Sequence, residues 1–131
     1  MVTTYYLDTS VAVHVLWRDS GALSWFTAAT GDEEKVVSSS RILQTELTRV
    51  LRREDETIAR RNTILDHVSI APMTEAILTS AESIAQHLRT LDAIHLATAL
   101  ALGSRTVLVT HDARLAEIAE EHGLTVEDPV T

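Results

Sequence analysis

The chain reads as an α/β protein of three layers, α/β/α, with a central parallel sheet of four to five strands and helices on both faces. Three observations predict this. Short β-branched runs, of which Thr106-Val107-Leu108-Val109-Thr110 is the clearest, alternate with longer helical stretches, the pattern that builds parallel sheets. The 131 residues are 45% hydrophobic with only 4 Gly and 2 Pro, which suits one folded domain, residues 1–131, with a substantial shared core. The first strand, Tyr5-Tyr6-Leu7, runs straight into Asp8-Thr9-Ser10, placing a carboxylate where ligands of open parallel sheets bind.

The elements follow in order. Val11 to Trp17 is apolar enough for a helix packed on the sheet, and Asp19 or Ser20 can cap a second helix running to about Thr30. Gly31 suits its end, because glycine tolerates a left-handed backbone. Lys35 to Ser39 reads as a strand, Ser40 as the cap of a helix from Arg41 to about Arg53, and Glu54-Asp55-Glu56-Thr57 as the start of the next helix, ending near Asp66. Val68 to Ala71 before Pro72 is a third strand, Thr74 opens a helix to about His87, and Thr90 caps one that ends at Gly103. After the strand at Thr106–Thr110, a helix runs from Asp112 to His122 with Gly123 closing it, and Thr125-Val126 forms a weak last strand.

Composition excludes several classes. With no cysteine there is neither a disulfide nor a thiolate metal site. Met1-Val2-Thr3-Thr4 lacks the features of a signal peptide, and the longest nearly apolar run, Leu91 to Leu102, is too short for a bilayer, so a cytoplasmic protein without membrane contact is expected. The net charge of −8 opposes nucleic-acid binding, yet 6 of the 11 basic residues lie between Arg41 and Arg61. Solvated helix faces account for such charges, and as a cluster, with Arg49, Arg52 and Arg53 foremost, they can also grip a phosphate backbone.

Four acids stand out. Glu46 falls in the middle of the apolar face formed by Ile42, Leu43, Leu47 and Val50, so it either pairs with a buried arginine, bends outward, or binds a metal ion. Asp92 opens a helix that is apolar on almost every side, where the helix dipole alone would favour an acid. Asp112 can be a simple N-cap, but it follows a strand and so shares a sheet edge with Asp8. Acids gathered at one edge repel unless a counterion joins them, and Mg²⁺ or Mn²⁺ would make the group useful for phosphodiester hydrolysis. Thr9, Ser10 and Thr110 could orient a carboxylate or water, although capping and strand propensity explain them as well. His95 and His111 read as structural histidines, because no pair has zinc spacing; Trp17, Trp25 and Phe26 read as core.

With those residues in place, the chain resembles the PIN-domain ribonuclease toxins of the VapC type from type II toxin–antitoxin systems. The landmarks are Tyr6-Leu7-Asp8-Thr9-Ser10, Thr45-Glu46-Leu47 before an arginine-rich helix end, Leu91-Asp92-Ala93-Ile94-His95-Leu96-Ala97-Thr98-Ala99, and Val109-Thr110-His111-Asp112. They span nearly the whole chain. The resemblance implies a doubly wound sheet with the first strand central and a Mg²⁺- or Mn²⁺-dependent endoribonuclease neutralised by a small VapB-like antitoxin. It also implies a homodimer. Asp8, Glu46, Asp92 and Asp112 match the family's acidic positions, with Asp8 and Asp92 as principal metal ligands and Thr110 and Ser10 as accessories. It further suggests that helices between Val11 and Phe26 form the antitoxin groove.

Two other functions compete. A catalytically silent partner-binding module would keep the same residues. A phosphoacceptor or phosphatase-type aspartate domain needs a lysine near the phosphate, and the single lysine, Lys35, begins a strand at the opposite sheet edge.

Overall fold

Strand β1 (Thr3–Leu7) is the middle of a five-stranded parallel sheet in a computed structural model that describes residues 1–131. The order is β3-β2-β1-β4-β5, with β2 at Lys35–Ser40, β3 at Ser69–Ala71, β4 at Val107–Val109 and β5 at Thr125–Glu127. All four pairings are parallel. Successive strand residues point to opposite faces, and in β1 the two faces meet different cores. Leu7 packs with Val11, Leu43 and Leu47 on one side, while Tyr6 packs with Leu96, Leu115 and Ile118 on the other. Both are fully buried, and each such side chain contributes about 1.5–3 kcal/mol.

The layers are therefore α1 (Thr9–Leu16), α2 (Ser20–Thr30), α3 (Ile42–Arg53) and α4 (Asn62–Leu65) against one face, and α6 (Thr90–Ala101) with α7 (Ala113–Glu121) against the other. Helix α5 (Glu75–Glu82) packs beside α6. The expected three-layer fold with a central first strand is what forms. From β1 the chain adds β2 and β3 on one side, then crosses to β4 on the other. The resulting switch point lies between β1 and β4, where open α/β sheets bind ligands.

Several element boundaries differ from expectation, each for a local reason. No helix begins at Glu54. Instead Asp55 takes a left-handed φ of 54°, its N–H bonds Arg52 O, and Glu56 N–H bonds Leu51 O, so the acidic run closes α3 as a Schellman turn. Only a 3₁₀ turn at Ile58–Arg61 and the short α4 follow. Helix α5 stops at Glu82 rather than near His87, where Ser83 Oγ donates back to Thr79 O and competes with helical bonding. Gly31 ends α2 at φ −93°, without using its left-handed freedom, whereas Gly123 after α7 does so at φ +89°. Asp19 caps α2 through Ala22 N–H as expected. Trp17 is 40% exposed and lies beneath the Arg60 guanidinium instead of in the core.

Candidate active site

Register brings the ends of β1 and β4 into step, because Leu7 pairs with Val109 and Asp8 N–H donates to Val109 O. Asp8 and Thr110 therefore face each other just beyond the sheet, both almost wholly buried. Asp8 Oδ2 accepts from Ser10 Oγ at 2.6 Å and from Thr110 Oγ1 at 2.8 Å. The same hydroxyls accept in turn: His111 N–H donates to Ser10 Oγ and Asp112 N–H to Thr110 Oγ1. Both accessory hydroxyls thus tie the β1–α1 junction to the β4–α7 junction through one carboxylate oxygen. Asp8 Oδ1 carries no hydrogen bond; His95 Nε2 lies 3.8 Å from it.

Glu46 reaches the same place from α3. Ile42, Leu43, Leu47 and Leu51 seat that helix against the core, which turns the half-buried Glu46 toward the sheet edge. Its protein partners are a histidine and a threonine rather than an arginine. Glu46 Oε1 lies 2.6 Å from His95 Nε2 and accepts from Thr9 Oγ1 at 2.7 Å, while Oε2 has no partner. His95 is fully buried, and its Nδ1 lies 2.6 Å from the hydroxyl of the equally buried Tyr6. Burial pushes the Glu46 carboxyl up, but the hydrogen bonds from His95 and Thr9 outweigh it and hold the group below the usual glutamate range. Burial likewise opposes a charged His95, yet the bond to Glu46 and the charge of Asp8 raise its pKa. Tyr6, pushed up by burial, stays a neutral phenol.

Asp92 and Asp112 form a second group at the same edge. Asp112 Oδ1 caps α7 by accepting from Arg114 N–H and Leu115 N–H. Its other oxygen takes Arg89 Nη2 at 3.3 Å, and Arg89 Nε reaches Asp92 Oδ2 at 3.1 Å. Burial first, and then the charge of Asp8, raises the Asp92 carboxyl, with Arg89 only partly compensating. Arg89, not Thr90, takes the N-cap position of α6.

The four predicted acids therefore gather at one edge as two groups, Asp8–Glu46 and Asp92–Asp112. No three His, Asp or Glu side chains stand close enough to enclose an ion. Their donor chemistry nevertheless suits a hard divalent cation: Asp8 Oδ1, Glu46 Oε2 and Asp92 Oδ1 are carboxylate oxygens without hydrogen bonds, each on a group whose other oxygen is anchored. Of the predicted RNA-contacting arginines, Arg49 and Arg53 line a depression of about 320 Å³ shared with Glu46 and Leu91. Arg52 does not line it. Tyr6, His95 and Arg89 were not singled out as site residues; the signal for His95 was a polar ring within a helix apolar on all sides. Lys35 sits at the amino end of β2, level with Thr3 and far from the acids along the strands.

Fold and site together define a doubly wound α/β domain with an acidic centre at the carboxyl edge of its central strand. The chain belongs to the PIN-domain family, whose model matches residues 5–121. Among solved structures it resembles VapBC2 of Rickettsia felis bound to a promoter DNA fragment, at TM-score 0.77 and 14% identity over 96% of this chain and 98% of that one. It is also similar to VapBC-1 of nontypeable Haemophilus influenzae, at TM-score 0.72 and 17% identity over 96% and 98%. DNA-bound VapBC of Salmonella typhimurium matches at 0.71 and 18%, over 98% of both chains. No protein of curated function matches the sequence.

Proposed function

We propose that the chain is a toxin of the VapC type: a Mg²⁺- or Mn²⁺-dependent endoribonuclease that hydrolyses RNA phosphodiester bonds and is held in check by an antitoxin. The observation that carries this reading is the paired anchoring of Asp8 and Glu46 at the switch point. Each carboxylate is immobilised through one oxygen and presents the other bare, the condition under which side chains receive a hard ion without first reorganising. Asp8, Glu46, Asp92 and Asp112 would hold the metal, which when bound supplies an activated water and charge stabilisation for the leaving oxygen. The residues of the chain set the rest. Ser10 and Thr110 fix Asp8, Thr9 and His95 fix Glu46, and Arg49 and Arg53 stand beside Glu46 to meet the RNA backbone, which helps offset the −8 net charge.

The partner assignments rest on the same reading. A groove of about 410 Å³ floored by Leu16, Leu23 and Phe26 and flanked by Arg18 and Arg60 suits an amphipathic segment of a VapB-like antitoxin. A homodimer through other helices, a single domain over residues 1–131 and a cytoplasmic site of action complete the proposal. No helix is long and apolar enough to cross a membrane.

The Arg89 bridge favours a second reading, a silent partner-binding module, since it engages two of the four acids. One experiment separates them. The purified chain, free of antitoxin, is incubated with total cellular RNA with and without Mg²⁺ or Mn²⁺, beside Asp8→Asn. Metal-dependent cleavage lost in the variant supports the nuclease; equal cleavage by both proteins refutes the site, and no cleavage of any RNA favours the silent module.

A further inference from the structure

The Arg89 bridge joins the starts of two helices within the acid group. Asp92 lies in the first turn of α6 and Asp112 caps α7, so one guanidinium spans acids that no local sequence rule pairs. Asp112 has only one oxygen to offer, because Oδ1 is committed to two backbone N–H groups of α7. That remaining oxygen, Oδ2, is the one Arg89 holds, at 3.3 Å. An ion bound through Asp112 therefore competes with the Arg89 guanidinium for the one oxygen that is left, and two cations at that oxygen repel. The side chain is otherwise 81% exposed, with open solvent to swing into once released. Its planar fork explains how it grips both acids, one through Nε and the other through Nη2.

We propose that Arg89 is a resident counter-cation of the acid centre: it holds Asp92 and Asp112 together, and a divalent ion that completes its shell through Asp112 displaces it. Arg89 is thus a positioning residue that sets the concentration at which the site fills. The inference rests on the proposed metal site and goes beyond it by assigning the competitor.

The test is a Mn²⁺ titration of the full chain, followed by the electron paramagnetic resonance signal of free Mn²⁺, for the native protein, Arg89→Gln, Arg89→Lys and Asp8→Asn. Arg89→Gln is expected to bind Mn²⁺ about 3- to 10-fold more tightly, the range that two exposed charge-assisted contacts account for. Arg89→Lys should fall near Arg89→Gln, because a point charge cannot fork to both acids. The gap between native and Arg89→Gln should narrow between about 50 mM and about 500 mM salt as the bridge is screened. If Asp8→Asn abolishes binding while Arg89→Gln binds no tighter than the native chain, the displacement idea falls and the metal site stands. Arg89→Lys behaving as native would also overturn it, leaving only net charge. Failure of native and Arg89→Gln alike to bind would remove the metal site itself.

Discussion

Removing a single oxygen from the interior, by Tyr6→Phe, examines how Glu46 is held. Tyr6 and His95 are both fully buried, and the 2.6 Å contact between the phenol and Nδ1 is the only hydrogen bond that this ring nitrogen makes. Phenylalanine keeps the ring volume, so no cavity term enters. What remains is a polar nitrogen stranded in the core, at a cost of about 1–3 kcal/mol. For a chain of this size about 1 kcal/mol moves Tm by roughly 4 °C, so a fall of about 4–12 °C is expected in EDTA at neutral pH. A second consequence discriminates the network from a generic core defect. Because His95 Nε2 also anchors Glu46 Oε1, Tyr6→Phe and Glu46→Gln should be non-additive in a double-mutant cycle, with a coupling above about 0.5 kcal/mol by urea unfolding. A Tyr6→Phe variant within about 0.3 kcal/mol of native, with additive behaviour toward Glu46→Gln, would refute the reasoning.

Three further outcomes are expected. In metal-free protein the stability gap between native and Glu46→Gln should depend on pH. The raised His95 pKa contributes stability that is complete below about pH 6.5 and lost as pH rises through the folded value, and the depressed Glu46 pKa contributes stability complete above about pH 4.3 and lost as pH falls through its folded value. The gap should therefore be widest, and level, between about pH 4.3 and 6.5, and a Tm difference that does not shrink on either side of that range would contradict an internal ion pair. Thr110→Val should cost about 1–3 kcal/mol by urea unfolding, because Asp8 loses a donor and Asp112 N–H its acceptor, whereas Thr110→Ser should recover most of that loss. Gly21→Ala should loosen the C-terminal segment, since the new Cβ would collide with Pro129 O; faster carboxypeptidase trimming and a rise of the Asp19 carboxyl, held low chiefly by Thr131 N–H, would report it.

The acids illustrate how far local pattern carries. Asp8 was legible because it ends a β-branched and aromatic strand, and Glu46 because it interrupts an apolar helical face; both signals depend only on side-chain period. The end of α3 does not follow from side-chain period, since an acidic run that looks like a helix start instead adopts the left-handed turn at Asp55. Nor does the placement of Trp17, the residue just after α1, whose ring lies against the Arg60 guanidinium. Local propensity describes what a segment can do, and neighbours decide which option it takes.

By itself, then, the sequence determined the alternation of strands and helices, the parallel sheet that follows from it, and the identity of the acids at its edge. Periodicity and capping chemistry act within a few residues, so they can be read from a window. The tertiary structure alone decided which donor meets which acid. Tyr6 and His95 are 89 residues apart, Arg89 and Asp112 are 23 apart, and each pair is made by strand register and helix crossing. Those contacts divide four similar carboxylates into two groups, one fixed by buried hydroxyl and imidazole groups and the other bridged by an exposed guanidinium. The distinction arises because burial and partner charge are properties of the packed edge, and a linear chain does not carry them.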